Sequence, residues 1–89
     1  MSAPAPLRLL YFAGLRECLG AAAEEVALPD GIATVGGLMA WQRGRGPAHA
    51  AAFAAEARVR CAVNQDFAGP EAAVGAGDEV AFFPPMTGG

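Results

Sequence analysis

The last residues of this chain, Glu79-Val80-Ala81-Phe82-Phe83-Pro84-Pro85-Met86-Thr87-Gly88-Gly89, place its most reactive candidate group at the end. A terminal carboxylate has an ordinary pKa of about 3.3–3.7, so near neutral pH it is an anionic oxygen nucleophile able to attack the α-phosphate of ATP. Gly88 and Gly89 carry no side chain and can follow a channel too narrow for a Cβ. Pro84 and Pro85 stiffen the root of the tail and donate no N–H to a sheet. Six residues running extended at about 3.1 Å each would hold the carboxylate about 18 Å from the preceding strand, far enough to enter another protein.

No internal group competes with it. There is no lysine, which removes a Schiff-base amine, and the only serine is Ser2. His49 is the one histidine, with no cysteine or histidine at metal-ligand spacing, and is expected at the surface; no metal site is expected. Cys18 and Cys61 form no C-x-x-C pair and are expected as separate buried thiols, Cys18 on the apolar stripe of a short helix and Cys61 facing inward on a strand. Glu24-Glu25 reads as a solvated strand edge. Gly75-Ala76-Gly77 has no helix start after it and is not a phosphate loop. Trp41 is expected at the core or its edge.

With 89 residues the chain is sized for one domain around a single core. Hydrophobic residues make up 54% and charged residues 17%, so part of the apolar surface is expected to meet a partner. Nine acids against six arginines give a net charge of −3 with no basic run, which argues against nucleic-acid binding and for a basic partner surface. The start lacks the basic and apolar regions of a signal peptide, and no apolar run approaches the roughly 20 residues of a membrane span. A cytoplasmic protein with no membrane contact is the expectation.

These elements must position the tail. A leader over residues 1–6 precedes a strand at Leu7–Ala13, with Leu7, Leu9 and Tyr11 on one face and Arg8, Leu10 and Phe12 on the other. Leu15, Cys18 and Leu19 mark a short helix stopped by Gly20. Glu24–Leu28 is a second strand ending at the Pro29-Asp30-Gly31 turn. Thr34 caps a helix with Val35, Leu38, Met39 and Gln42 on its inner stripe, ended by Gly44 to Pro47. The alanine-rich stretch from Ala48 to Ala57, anchored by Phe53, is a second short helix or a loosely docked segment. Arg58–Asn64 alternates as a strand with Val59, Cys61 and Val63 inward, and Asn64-Gln65-Asp66 leaves it through a polar turn. Gly75–Asp78 is another turn, and Glu79–Phe83 is the last strand. The order strand, strand, helix, strand, strand predicts a small α+β domain over residues 7–83 with a tail at 84–89. A β-grasp arrangement would set the first and last strands parallel at the centre of a mixed sheet. Phe12 and Phe83 would then be neighbours on the face away from the main helix and form a docking patch.

Gly77 to Gly89, Leu10-Tyr11-Phe12-Ala13-Gly14-Leu15-Arg16-Glu17 and Ala62-Val63-Asn64 closely resemble the ending, opening strand and helix, and third strand of the sulfur-carrier small subunits of molybdopterin synthase, a ubiquitin-like β-grasp family. Residues 36–56 carry none of the motifs on which the resemblance rests. The resemblance implies a subunit that is not catalytic on its own and binds no cofactor. An adenylating enzyme would use ATP to activate Gly89 as an acyl-adenylate, and a sulfur donor would convert that to a thiocarboxylate. The tail, Pro84, Pro85, Met86, Thr87 and Gly88 leading to Gly89, would then enter the large subunit of a heterotetrameric synthase. There the sulfur would pass to cyclic pyranopterin monophosphate in molybdenum cofactor biosynthesis. Phe12 and Phe83 would dock the partners. A carrier for thiazole synthesis or another sulfur pathway, a ubiquitin-like protein modifier, and an interaction module with an inert tail are the alternatives.

Overall fold

Five strands and three helices make up the described part of the chain. The computed structural model describes residues 4–54 and 58–85. β1 (Leu7–Tyr11) leads through α1 (Ala13–Leu19) to β2 (Ala23–Val26), then α2 (Val35–Arg43) and α3 (Pro47–Ala52), and finally β3 (Arg60–Val63), β4 (Asp66–Ala68) and β5 (Glu79–Phe83). The sheet order is β2-β1-β5-β3-β4. β1 and β5 run parallel at the centre, with Tyr11 opposite Phe82, and every other pair is antiparallel. This is the expected β-grasp arrangement.

Alternation along the central strands sets the core. Leu7, Leu9 and Tyr11 of β1 and Val80 and Phe82 of β5 are buried on one face, where Val35, Leu38 and Met39 of α2 cover them. Each such aliphatic side chain contributes about 1.5–3 kcal/mol by leaving water. Phe82 lies at the centre, stacked on Tyr11 at 6.0 Å and met edge-on by Phe53 at 5.1 Å. Phe53 follows α3 and is fully buried, so the alanine-rich stretch is a docked helix, though only to Ala52. The Thr34 hydroxyl caps α2 by accepting the Gly37 N–H at 3.1 Å, as expected.

Several expectations need correction. β1 stops at Tyr11, and Phe12 is the extended N-cap of α1. β3 is shorter than Arg58–Asn64, because Arg58 and Val59 lie outside the ladder. Asp66 opens a fifth strand instead of leaving the sheet: Asn64 and Gln65 have φ of 51° and 74°, the paired left-handed conformation of a tight hairpin turn. Cys61 is buried, but Cys18 is exposed, its thiol donating to the Ala48 carbonyl at 3.4 Å; both are free thiols. Glu24 is half-buried rather than a solvated edge, and His49 is half-buried with an Nε2 that has no hydrogen-bond partner among the described residues.

The Glu24 correction exposes a closed polar ring. Tyr11 Oη donates to Glu24 Oε2 at 3.2 Å and accepts from Gln42 Nε2 at 2.9 Å. Arg45 then donates from Nη1 to Gln42 Oε1 at 2.9 Å and from Nη2 to Glu24 Oε1 at 2.7 Å, with its guanidinium 4.6 Å from the Trp41 ring. Gln42 is fully buried and both its amide ends are satisfied, so the ring ties α2 to β1 and β2 without an orphaned dipole.

Candidate functional site

β5 carries the chain from the sheet centre to the tail. Its inward residues Val80 and Phe82 anchor it in the core, and the parallel ladder with β1 closes where the Phe12 N–H donates to Phe82 O at 3.1 Å. Phe83 is the last strand residue, half-buried on the outer face, and Pro84 and Pro85 follow outside the ladder. Met86, Thr87, Gly88 and Gly89 lie outside the described residues, so the tail's reactive end is an expectation carried by its chemistry.

The outer face beside that exit is apolar. One row crosses all five strands in register: Ala23, Leu10, Ala81, Ala62 and Phe67. Ala62 and Ala81 are too small to hold the flanking aromatics apart, and the Phe67 and Phe83 rings meet edge-to-face at 5.9 Å and 61°. Phe67 is 86% exposed and Phe12 is 48% exposed. Sequence reasoning chose Phe12 and Phe83 for this face. Phe12 does stand at its edge, but among the described residues the ring in contact with Phe83 is that of Phe67.

Phe67 was missed because its strand was missed. The signal lay in Asn64 and in the short alternation Asp66-Phe67-Ala68, but Gln65 stands where a hairpin usually has glycine. Asn64 fixes the hairpin onto β5. Its Oδ1 accepts the Glu79 N–H at 3.0 Å, its Nδ2 donates to Asp78 Oδ1 at 3.1 Å, and its own N–H donates to Glu79 O at 2.7 Å. A groove of about 500 Å³ opens where this face meets the tail root, bordered by Arg60, Phe67, Gly69, Phe83 and Pro85.

The remaining titratable groups are poorly set for catalysis. Burial pushes the Cys61 thiol up to about 11, away from the thiolate a nucleophile needs. Burial, outweighing the Gln42 hydrogen bond, likewise pushes the Tyr11 phenol up to about 12. Burial, helped by the charge of Arg45, holds His49 below its usual value. Among the described residues no group of three or more His, Cys, Asp or Glu side chains could hold a metal ion, and no helix is long and apolar enough to cross a membrane. The arrangement presents an aromatic surface beside the root of the tail.

Comparison with known proteins agrees with that geometry. The ThiS family profile matches residues 9–89. The molybdopterin synthase sulfur carrier subunit of Haemophilus influenzae is 39% identical over 83 residues, 93% of this chain and 99% of that protein. Among solved structures, SAMP1 from Haloferax volcanii superposes with a TM-score of 0.71 at 31% identity, covering 96% of this chain and 100% of the other. A putative molybdopterin converting factor subunit 1 from Pyrococcus furiosus does so at 0.74 and 28% identity, covering 92% and 99%.

Proposed function

The chain belongs to the ThiS family, and from that membership we propose that it is the sulfur-carrier subunit of a molybdopterin synthase, with the Gly89 carboxylate as the carrying group. The observation that carries this reading is the junction at Phe83: the central strand passes directly into the Pro84-Pro85 root, beside a face led by an 86% exposed phenylalanine. A surface of that kind fits a protein whose chemistry is completed by partners.

In the proposed cycle, an adenylating partner binds the outer face and takes the tail. A Gly89 carboxylate oxygen attacks the α-phosphate of ATP, pyrophosphate leaves, and the mixed anhydride is open to a sulfur nucleophile. Sulfide equivalents from a donor expel AMP and leave a thiocarboxylate, a softer nucleophile than the carboxylate. The loaded tail then enters the large synthase subunit, which supplies the pocket and the catalytic groups. The thiocarboxylate sulfur attacks cyclic pyranopterin monophosphate, water cleaves the acyl–sulfur bond so that sulfur stays on the pterin and the tail returns as carboxylate, and a second loaded carrier completes the dithiolene. ATP is consumed on the partner, and this chain holds no cofactor of its own.

Reconstitution tests the proposal. Thiocarboxylate carrier mixed with the large subunit and the pterin precursor should yield the dithiolene product, and a chain lacking Gly89 should yield none. A loaded carrier that gives no product would place the chain in another sulfur pathway.

The likeness to SAMP1, a small archaeal modifier protein, supports a second use of the same tail. A lysine amine attacking the acyl-adenylate would give an isopeptide. This chain has no lysine to receive one, so side-chain conjugates would form on other proteins only. Covalent adducts in a lysate supplied with the adenylating enzyme and ATP, absent when Gly89 is deleted, would establish that use.

A further inference from the structure

We propose that Arg58 and Arg60 form a cationic collar at the root of the tail that docks against an acidic rim on the protein receiving it. The proposal rests on the carrier reading and adds the chemistry of the partner surface. Arg60 stands opposite Phe83 in the ladder and borders the groove shared by Phe67, Phe83 and Pro85. Arg58 borders a second groove, of about 370 Å³, which Pro84 shares with Leu15 and Cys18 of α1 and with Ala51 of α3. One groove opens on the outer sheet face and the other on the helix side, so the two guanidiniums flank the point where the tail departs.

Both arginines are exposed, and neither makes an ion pair or hydrogen bond among the described residues. Glu71, whose carboxylate lies beside Gly69 of the first groove, makes no ion pair with Arg60 among the described residues. Of the other cations, Arg45 is bound to Glu24 and Gln42, Arg8 stands in register between Glu25 and Glu79, and Arg16 is exposed on α1. The acids Asp66, Asp78 and Glu79 gather at the opposite end of the sheet. Glu79 lies four strand residues from Phe83, about 13 Å, and Asp66, opposite Val63, lies three from Arg60, about 10 Å, both beyond the Debye length of about 8 Å at physiological salt. A partner near the tail therefore meets Arg58 and Arg60, with Glu17 and Glu71 as the neighbouring acids, and not the net charge of −3 of the whole chain. The overall charge had suggested a basic complement; the tail end calls for an acidic one. Such an arrangement steers the root of the tail toward an acidic rim, while the anionic terminus passes beyond it.

Association of the full chain with the large synthase subunit, followed by stopped flow at low and high salt, tests the proposal. Wild-type association should slow as salt rises. Arg58→Glu/Arg60→Glu should associate about tenfold more slowly at low salt and lose most of the salt dependence, with Arg58→Gln/Arg60→Gln between the two. Unchanged thermal unfolding of both variants would assign the effect to binding. Variants that associate as fast as wild type, or faster, would overturn the collar alone. A wild-type chain that binds the large subunit at neither salt concentration would overturn the collar and the carrier reading together.

Discussion

The Phe67 ring packs on the Phe83 ring at 5.9 Å and 61°, joining the edge strand β4 to the last residue before the tail root. Phe83 is held by the core through its neighbour Phe82, while Phe67 stands 86% exposed on a hairpin clamped by Asn64. The contact makes the outer face and the tail one unit: a partner that covers the aromatics is already at the tail's root.

Phe67→Asp should weaken binding to the large subunit by about 2 kcal/mol, near 30-fold, as expected for an aromatic anchor at an interface centre. Because the ring is almost wholly in water, stability should move by about 0.5 kcal/mol or less. Calorimetric titration and thermal unfolding of the same variant separate the two effects. Full affinity in the variant would remove Phe67 from the docking face.

Gln42→Leu should behave in the opposite way. It leaves Tyr11 Oη without its donor and Arg45 Nη1 without its acceptor, while the Arg45–Glu24 ion pair remains, at a cost of about 2–3 kcal/mol. Urea unfolding should show the loss, while partner affinity of the folded fraction stays at the wild-type value. A variant as stable as wild type would mean that the ring of Tyr11, Gln42, Arg45 and Glu24 contributes no net stability.

Two glycines should respond oppositely to alanine. At Gly36 a Cβ would come 3.2 Å from the Pro70 carbonyl oxygen, which accepts the Gly36 N–H at 2.8 Å, so Gly36→Ala must displace the 69–72 segment from α2. The expected cost is about 1–2 kcal/mol. Gly14 lies in α1 with nothing near its missing side chain, and Gly14→Ala should gain about 0.5–1 kcal/mol through helix propensity. A denaturation midpoint that rises for Gly36→Ala would contradict the packing described there, and one that falls for Gly14→Ala would contradict the open space at Gly14.

Stability should fall on both sides of a plateau near neutral pH. The fold raises the Tyr11 phenol to about 12 and the Cys61 thiol to about 11, so the unfolded chain releases those protons first. The stability gained by keeping both neutral is complete below their ordinary values near 10 and 9, and is lost as pH rises through 11 and 12. His49 is shifted down, so its contribution is present above its ordinary value near 6.5 and is lost as pH falls. Urea midpoints measured across pH should show both limbs, and Cys61→Ala should flatten the alkaline one. A midpoint that stays constant up to pH 11 would refute the assignment.

The sheet's centre was legible because strict alternation in Leu7–Tyr11 and Glu79–Phe83 admits one buried face, and Thr34 with its following stripe announces α2. The edges were less legible, because tertiary partners decide them. Phe12 looked like strand, yet the backbone turns into α1 immediately after it, through Ala13 at a φ of 53°. Cys18 lay on an apolar stripe, but it is exposed, with its thiol donating to Ala48 O of α3. Glu24 looked solvated because its partner Arg45 is 21 residues away in sequence. The tail, by contrast, was read from chemistry alone: a glycine pair, a stiff root and the carboxylate expected at Gly89.

The central claim is that the Gly89 carboxylate is the sulfur-carrying group, and intact-mass analysis tests it most directly. The chain is incubated with its adenylating enzyme, ATP and a sulfur donor, beside a control lacking Gly89. The account predicts that the full chain alone gains the mass difference between one sulfur and one oxygen, located in its C-terminal peptide. A chain that remains entirely carboxylate with all three components present would contradict it.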